Sequence, residues 1–259
     1  MLTRIIASLV LIPLLIVLLF GGTPLYVVES ILIGIALHEF YKAFEHKDIH
    51  PIFSIGYAFA FYIAVKNIFK LPVAYTYTAV FALFIIGILF ILNSKKNVID
   101  LSVSFLGIFY IGLLMDCVSL TMDNFQKGSI YVWIIFIIAF VTDIFAYFVG
   151  SAIGKHKLIP SISPKKTVEG CLGGVIGSTV VCLIFGYFFN IDMIVMFLLG
   201  SIGSVIAQFG DLFASSIKRY VGIKDYGKLI PGHGGVLDRF DSVIMVAPFI
   251  YNTIRIFLS

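Results

Sequence analysis

Nine apolar runs, separated by short polar breaks, leave this chain few ways to fold. They cover residues 4–22, 24–44, 51–69, 72–93, 99–121, 128–152, 171–189, 192–220 and 236–258. A helix needs roughly 17–25 such residues to cross the hydrocarbon core of a bilayer. The expected fold is therefore all-α: a polytopic membrane bundle of about nine transmembrane helices. Composition agrees, because 12% of residues are charged and 60% hydrophobic, whereas soluble domains carry about 25% charged residues. We expect one integral membrane domain, with N-terminal spans over 1–125 and C-terminal spans and charged loops over 126–259. The first run, Ile5 to Phe20, is long for a signal peptide and no A-x-A site follows it, so it is read as a retained first helix. Cys117, Cys171 and Cys182 are scattered in apolar context without a CxxC pair. They are expected to be small buried side chains, with no disulfide framework or zinc site.

Charge placement gives an orientation. With nine spans and a cytoplasmic N-terminus, 14 of the 18 Lys and Arg residues fall on one side. That side is expected to be cytoplasmic, with the C-terminus outside. The two longest charged loops, 153–170 and 221–235, then share the cytoplasmic face.

Ionisable residues inside spans are costly and point to function. Asp143 lies in the sixth run, with Tyr147 and Gly150 on the same helical face. Asp211 lies in the eighth, in a stripe with Ser215, Lys218 and Arg219. Asp238 and Asp241 open the ninth run and share a face, with Arg239 between them turned away. For Asp143, pairing inside a bundle is as good a reading as function. Glu39 is read as a structural partner or as snorkelling to the interface. The default for Lys218, Arg219, Lys224 and Lys228 is a basic surface attracted to anionic lipid, and for His233 a solvated loop histidine. Asp211, Asp238 and Asp241 near one membrane face, with cations close in sequence, suit a divalent metal and a phosphate better than a salt-bridge network. Gly232, Gly234 and Gly235 flank His233 just before the ninth run. Backbone lacking Cβ can approach a ligand closely, and a helix N-terminus attracts anions.

The loop ISPKKTVEG, Ile162 to Gly170, offers Ser163, Lys165, Lys166 and Thr167, groups suited to phosphate. Thr167 is also positioned to cap the helix after it. The glycines at 170, 173, 174 and 177 are expected to serve close helix packing. No GxxxxGK[ST] loop occurs, so a P-loop nucleotidase is excluded.

The run SIKRYVGIKDYGKLIPGHGGVLDRFDS, Ser216 to Ser242, closely resembles the characteristic motif of the phosphatidate cytidylyltransferase (CDP-diacylglycerol synthase) family. That motif reads S-x-x-K-R-x4-K-D, a spacer, then H-G-G-x-x-D-R-x-D. Ser215 or Ser216 begins it, and Lys218, Arg219, Lys224, Asp225, His233, Gly234, Gly235, Asp238, Arg239 and Asp241 all fit. Asp143, Ala146, Tyr147 and Gly150, the SPKKT loop and Gly210–Asp211 also resemble the family. The likeness is strong over about the last 120 residues; the first half matches mainly as apolar spans.

The resemblance implies a magnesium-dependent nucleotidyltransferase of phospholipid biosynthesis, which converts CTP and phosphatidic acid into CDP-diacylglycerol and pyrophosphate. It implies a multi-pass enzyme of the bacterial cytoplasmic membrane, often dimeric, and no nucleic-acid partner. In this reading Asp211, Asp238 and Asp241 hold one or two metal ions. Lys218, Arg219, Lys224 and Arg239 neutralise phosphates, and the SPKKT loop closes over the substrate. His233 fixes the glycine turn or contacts phosphate, and Asp225 orients a lysine or binds ribose. The competing readings are an ion-relay transporter using Asp143 and Asp211, and a CTP-dependent enzyme acting on another lipid phosphate or alcohol.

Overall fold

The computed structural model describes residues 17, 18, 20–94, 96–227, 229 and 234–258. The expected first span lies largely outside these residues, as do Arg4, Lys95, Lys228, Gly232 and His233. The other eight expected runs are all helical. In chain order the helices are α1 (Gly22–Phe44), α2 (Phe53–Ile68), α3 (Ala74–Asn93), α4 (Val98–Gly107) and α5 (Cys117–Asn124). Then come α6 (Gly128–Ile153), α7 (Val168–Phe189), α8 (Met193–Val221) and α9 (Leu237–Phe257). Among the described residues, seven helical stretches are long and apolar enough to cross a membrane, and α2 is a shorter apolar helix. The protein is a polytopic helical membrane protein, as the apolar runs predict.

Two local departures have physical causes. The fifth run is not one regular helix: a π-helical segment, Ile108–Leu113, follows α4, and Asp116 lies in a turn before α5. Asp116 is buried at that turn, where its two oxygens take an ion pair from Lys66 and a hydrogen bond from Asn67 Nδ2 at 3.0 Å. Nothing in a hydropathy pattern encodes that demand. The loop 153–170 contains a two-stranded antiparallel hairpin, β1 (Lys157–Ile159) with β2 (Ser163–Thr167), pairing Lys157 with Thr167 and Ile159 with Ser163. Pro164 is tolerated there because each strand of a two-stranded sheet is an edge.

Polar residues set several helix ends. Asn97 and Asp100 form a capping box at α4, Asp192 Oδ1 accepts from the amides of Ile194 and Val195 before α8, and Thr167 caps α7. Exposed apolar faces are broad. On α3, Tyr77, Phe81, Phe84, Leu89 and Leu92 all face outward, as expected of a surface that meets hydrocarbon rather than water.

The chain divides into two compact units. One holds the described residues through Ser119 together with Tyr220–Arg239; the other holds Leu120–Arg219 and the chain from Phe240 onward. In the first unit α1 packs along α2, with Ile33, Leu37, Phe40, Tyr41, Phe59 and Ile63 fully buried. Tyr41 donates to the Ser104 carbonyl at 2.7 Å, and Glu29 accepts from Ser119 Oγ. In the second unit α6 packs along α7. The α7 glycines face α6 as expected: a Cβ on Gly174 would lie 3.0 Å from the Thr142 carbonyl oxygen, and one on Gly170 2.7 Å from that of Ala146. At such distances the two helix backbones touch.

Candidate active site

In the second unit, α6, β2, α7 and α8 surround a cavity of about 390 Å³. Its walls include Asp143, Tyr147, Lys165, Lys166, Thr167 and Asp211. These residues lie far apart in sequence, and the structure brings them together. Asp143, Tyr147 and Gly150 do share one face of α6, and that face lines the cavity. Asp143 is exposed to this space rather than packed away in the bundle.

Asp211 is the centre of the charge arrangement. Its Oδ2 pairs with Lys166, and its Oδ1 accepts from Ser215 Oγ at 3.2 Å. Ser215 is therefore the serine of the motif that faces the site; Ser216 Oγ turns back to the Phe213 carbonyl at 2.7 Å. Gly210 shows why a glycine precedes Asp211. A Cβ there would lie 2.6 Å from the Asp241 carbonyl oxygen, so only glycine lets α8 approach α9 at this level. Asp241 is buried and accepts from the Ser242 amide at 2.7 Å. Lys218 is 8% exposed, which is not the solvated basic surface that composition alone would favour. Arg219 is exposed and donates from Nε to the Ile162 carbonyl at 3.1 Å, tying α8 to the turn before β2.

The SPKKT loop is held by neighbours of its own. Thr167 Oγ1 accepts from the Gly170 amide at 3.1 Å, the expected cap. Ser163 pairs at the start of β2, and Lys165 and Lys166 reach the cavity. Two further residues gain a role here, Glu169 from the end of the SPKKT-x-EG loop and Gln208 from a helix position without a motif signal. Glu169 accepts from the Lys155 and His156 amides and from the His156 ring, anchoring the entry to the hairpin. Gln208 lines the cavity and donates to the Cys171 carbonyl at 3.2 Å.

The first unit holds the other part of the motif. Lys224, Asp225 and Tyr226 line a second cavity, of about 860 Å³, with His38, Glu39, Lys42 and His46. Asp238, 9% exposed, accepts at Oδ2 from the Tyr226 amide at 2.8 Å and the Gly235 amide at 2.9 Å. Gly234 has φ +85°, a left-handed conformation suited to glycine. Arg239 is half-buried, and its Nε is buried without a hydrogen-bond partner among the described residues.

Asp211 and Asp241 are hard oxygen donors on helices that touch at this level, the donor type that Mg²⁺ takes. Among the described residues no three metal-ligating side chains gather into a protein-only metal site. An ion held here would take further oxygens from substrate phosphates, the usual habit of Mg²⁺.

Carboxylates and ammonium groups thus line one cavity of a polytopic helical fold. The comparison with known sequences is more specific. The pattern of the cytidylyltransferase family matches residues 2–257, and the chain belongs to that family. It is 34% identical over 263 residues to a phosphatidate cytidylyltransferase of Staphylococcus haemolyticus (strain JCSC1435), covering 96% of this chain and 95% of the relative. A protein of the same name from Bacillus subtilis (strain 168) is 40% identical over 154 residues, 59% of this chain and 57% of that one. Another, from Staphylococcus aureus (strain COL), is 47% identical over 127 residues, 48% of this chain and 49% of the relative.

Proposed function

We propose that this chain is a phosphatidate cytidylyltransferase, forming CDP-diacylglycerol and pyrophosphate from CTP and phosphatidic acid in phospholipid biosynthesis. The observation that carries the reading is the Lys166–Asp211 pair at a cavity that also holds Lys165 and Asp143, in a chain of the cytidylyltransferase family. The pair is a resting arrangement. Each group stands in for the other's partner, phosphate for the lysine and a cation for the aspartate.

The reaction asks little of a general base. The phosphate monoester of phosphatidic acid is already an anionic nucleophile near neutral pH. One of its oxygens attacks the α-phosphorus of CTP, the bond from that phosphorus to the bridging oxygen breaks, and pyrophosphate leaves with the electron pair. The barrier comes from bringing anions together and from charge on the leaving group, so positioning and electrostatics dominate. Lys165 and Lys166 neutralise the nucleotide phosphates from the hairpin. Lys218, Arg219, Lys224 and Arg239 supply cations along the motif, and Ser163, Ser215 and Thr167 supply hydroxyls. The motif resemblance assigns Asp211, Asp238 and Asp241 to Mg²⁺ and to a second metal ion; of these, Asp211 and Asp241 belong to one unit and would hold Mg²⁺ from there. Bound there, the metal supplies charge neutralisation of the triphosphate. His233, outside the described residues, is assigned to the glycine turn or a phosphate, and Asp225 to a lysine or the ribose.

The distribution of Lys and Arg supports a site facing the cytoplasm of a bacterial cell, where CTP is dissolved. The family resemblance supports a homodimer. The test uses purified protein, phosphatidic acid vesicles, Mg²⁺ and CTP labelled in turn at the α and γ phosphates. The proposal expects α label in the lipid and γ label in pyrophosphate. Transfer of γ label to lipid would make the protein a CTP-dependent kinase, and no label in lipid from folded protein would remove the reading.

A further inference from the structure

Helix α1 comes from the half of the chain without motif residues, yet it reaches the glycine segment that leads into α9. Glu39 Oε1 accepts from the Val236 amide at 3.0 Å, and Oε2 accepts from the Leu237 amide at 2.9 Å. These amides open α9, where a helix leaves donors without intrahelical partners. A local side chain would normally cap them, but the residue before Leu237 is Val236, whose side chain has no acceptor. The cap is instead imported from nearly two hundred residues away, and it brings negative charge to a helix N-terminus, where it is favourable.

The glycines of the motif fit this carboxylate closely. A Cβ on Gly235 would lie 2.5 Å from Glu39 Cδ, and one on Gly227 would lie 2.8 Å from it. Glu39 is 6% exposed and forms part of the wall of the second cavity. A second carboxylate, Asp238, accepts from the Tyr226 and Gly235 amides.

We propose that Glu39 is a positioning residue for cytidylyl transfer: its two oxygens fix the first turn of α9, and so the directions of Asp238 and Arg239. Both oxygens are engaged as acceptors, so an amide cannot replace the carboxylate. A glutamine would aim an NH₂ group at one of the two backbone N–H groups.

Three measurements on the full-length protein in detergent test this. The first is hydrogen exchange of the wild type, in which the Val236 and Leu237 amides should be protected and should exchange at least tenfold faster in Glu39→Gln. The second is steady-state kinetics. Glu39→Gln should lower kcat by about tenfold or more, as expected when reacting groups are misplaced by a fraction of an ångström to an ångström. KM for CTP should move much less, and Glu39→Asp should restore part of the loss. The third is a double-mutant cycle. Gly235→Ala should be damaging alone and far less so beside Glu39→Ala, because the Cβ then has no carboxylate to meet.

Unprotected Val236 and Leu237 amides in the wild type would overturn the proposal without any variant. So would a normal kcat in Glu39→Gln, or a Gly235→Ala cost that is the same in both backgrounds. The kinetic arm rests on the cytidylyltransferase reading, whereas the exchange arm does not. A wild type that fails to turn over CTP while protecting these amides would count against that reading alone.

Discussion

Asp211 and Asp238 are the same chemical group, one just before the motif and one within it, and they do different things. Asp211 faces an open cavity and is met by side chains, Lys166 and Ser215, which can move away when a ligand arrives. Asp238 is nearly sealed, and one of its oxygens is met by two backbone amides, which cannot move without unfolding the segment. A carboxylate whose partners are mobile is available for chemistry, and one whose partners are backbone also holds the shape that chemistry needs. Residue type alone does not separate the two cases; partner type does.

The sharpest way to break this comparison is Asp211→Asn. Loss of a group that acts by charge at the reacting phosphates should reduce kcat by about 10²–10³-fold. The thermal midpoint in detergent should stay near that of the wild type, because a half-exposed ion pair contributes little to stability. Near-normal turnover would remove Asp211 from the site.

Asp238 should separate into two effects. Asp238→Asn keeps an oxygen for the Tyr226 and Gly235 amides, so it should fold well and lose turnover. Asp238→Ala leaves two buried donors without an acceptor, each costing about 1–3 kcal/mol, and its thermal midpoint should fall clearly below that of the asparagine variant. Equal midpoints for the two would show that the carboxylate does not hold the segment. A smaller effect, of about 1–2 kcal/mol, is expected for Gly234→Ala, which places a side chain at φ +85° and a Cβ 2.8 Å from Asp238 Oδ2. The smallest is Thr167→Ala, which removes a helix cap worth about 1 kcal/mol. Thr167→Ser keeps the cap and should recover most of that stability in a melting experiment.

Much of this molecule was legible in its sequence, for reasons that mark where legibility stops. Helices follow from apolar run length, because a bilayer imposes both the length and the backbone pairing. The α7 glycines announced a close helix contact, and α6 provides it. Asp143 and Tyr147 shared a face by spacing, and that face lines the cavity.

What stayed hidden were partners. Glu39 looks like a residue at the end of a span, and only the fold shows that its acceptors meet amides at the start of α9. The buried Lys66–Asp116 pair joins two residues whose separate positions say nothing of each other, and with it goes the break in the fifth run. The hairpin was masked by its length, since three and five residues with a proline carry no readable alternation. The motif glycines were read as making room for a ligand. At Gly234 and Gly235 the room is also taken by Asp238 and Glu39.

The central claim is that the open carboxylates serve a metal–nucleotide substrate. Its most direct test is Mn²⁺ binding to the purified protein, followed by electron paramagnetic resonance with and without CTP. The account predicts that CTP tightens Mn²⁺ binding to the wild type and that Asp211→Asn weakens this ternary binding at least tenfold. Mn²⁺ binding that ignores CTP, or that is unchanged in Asp211→Asn, would contradict it.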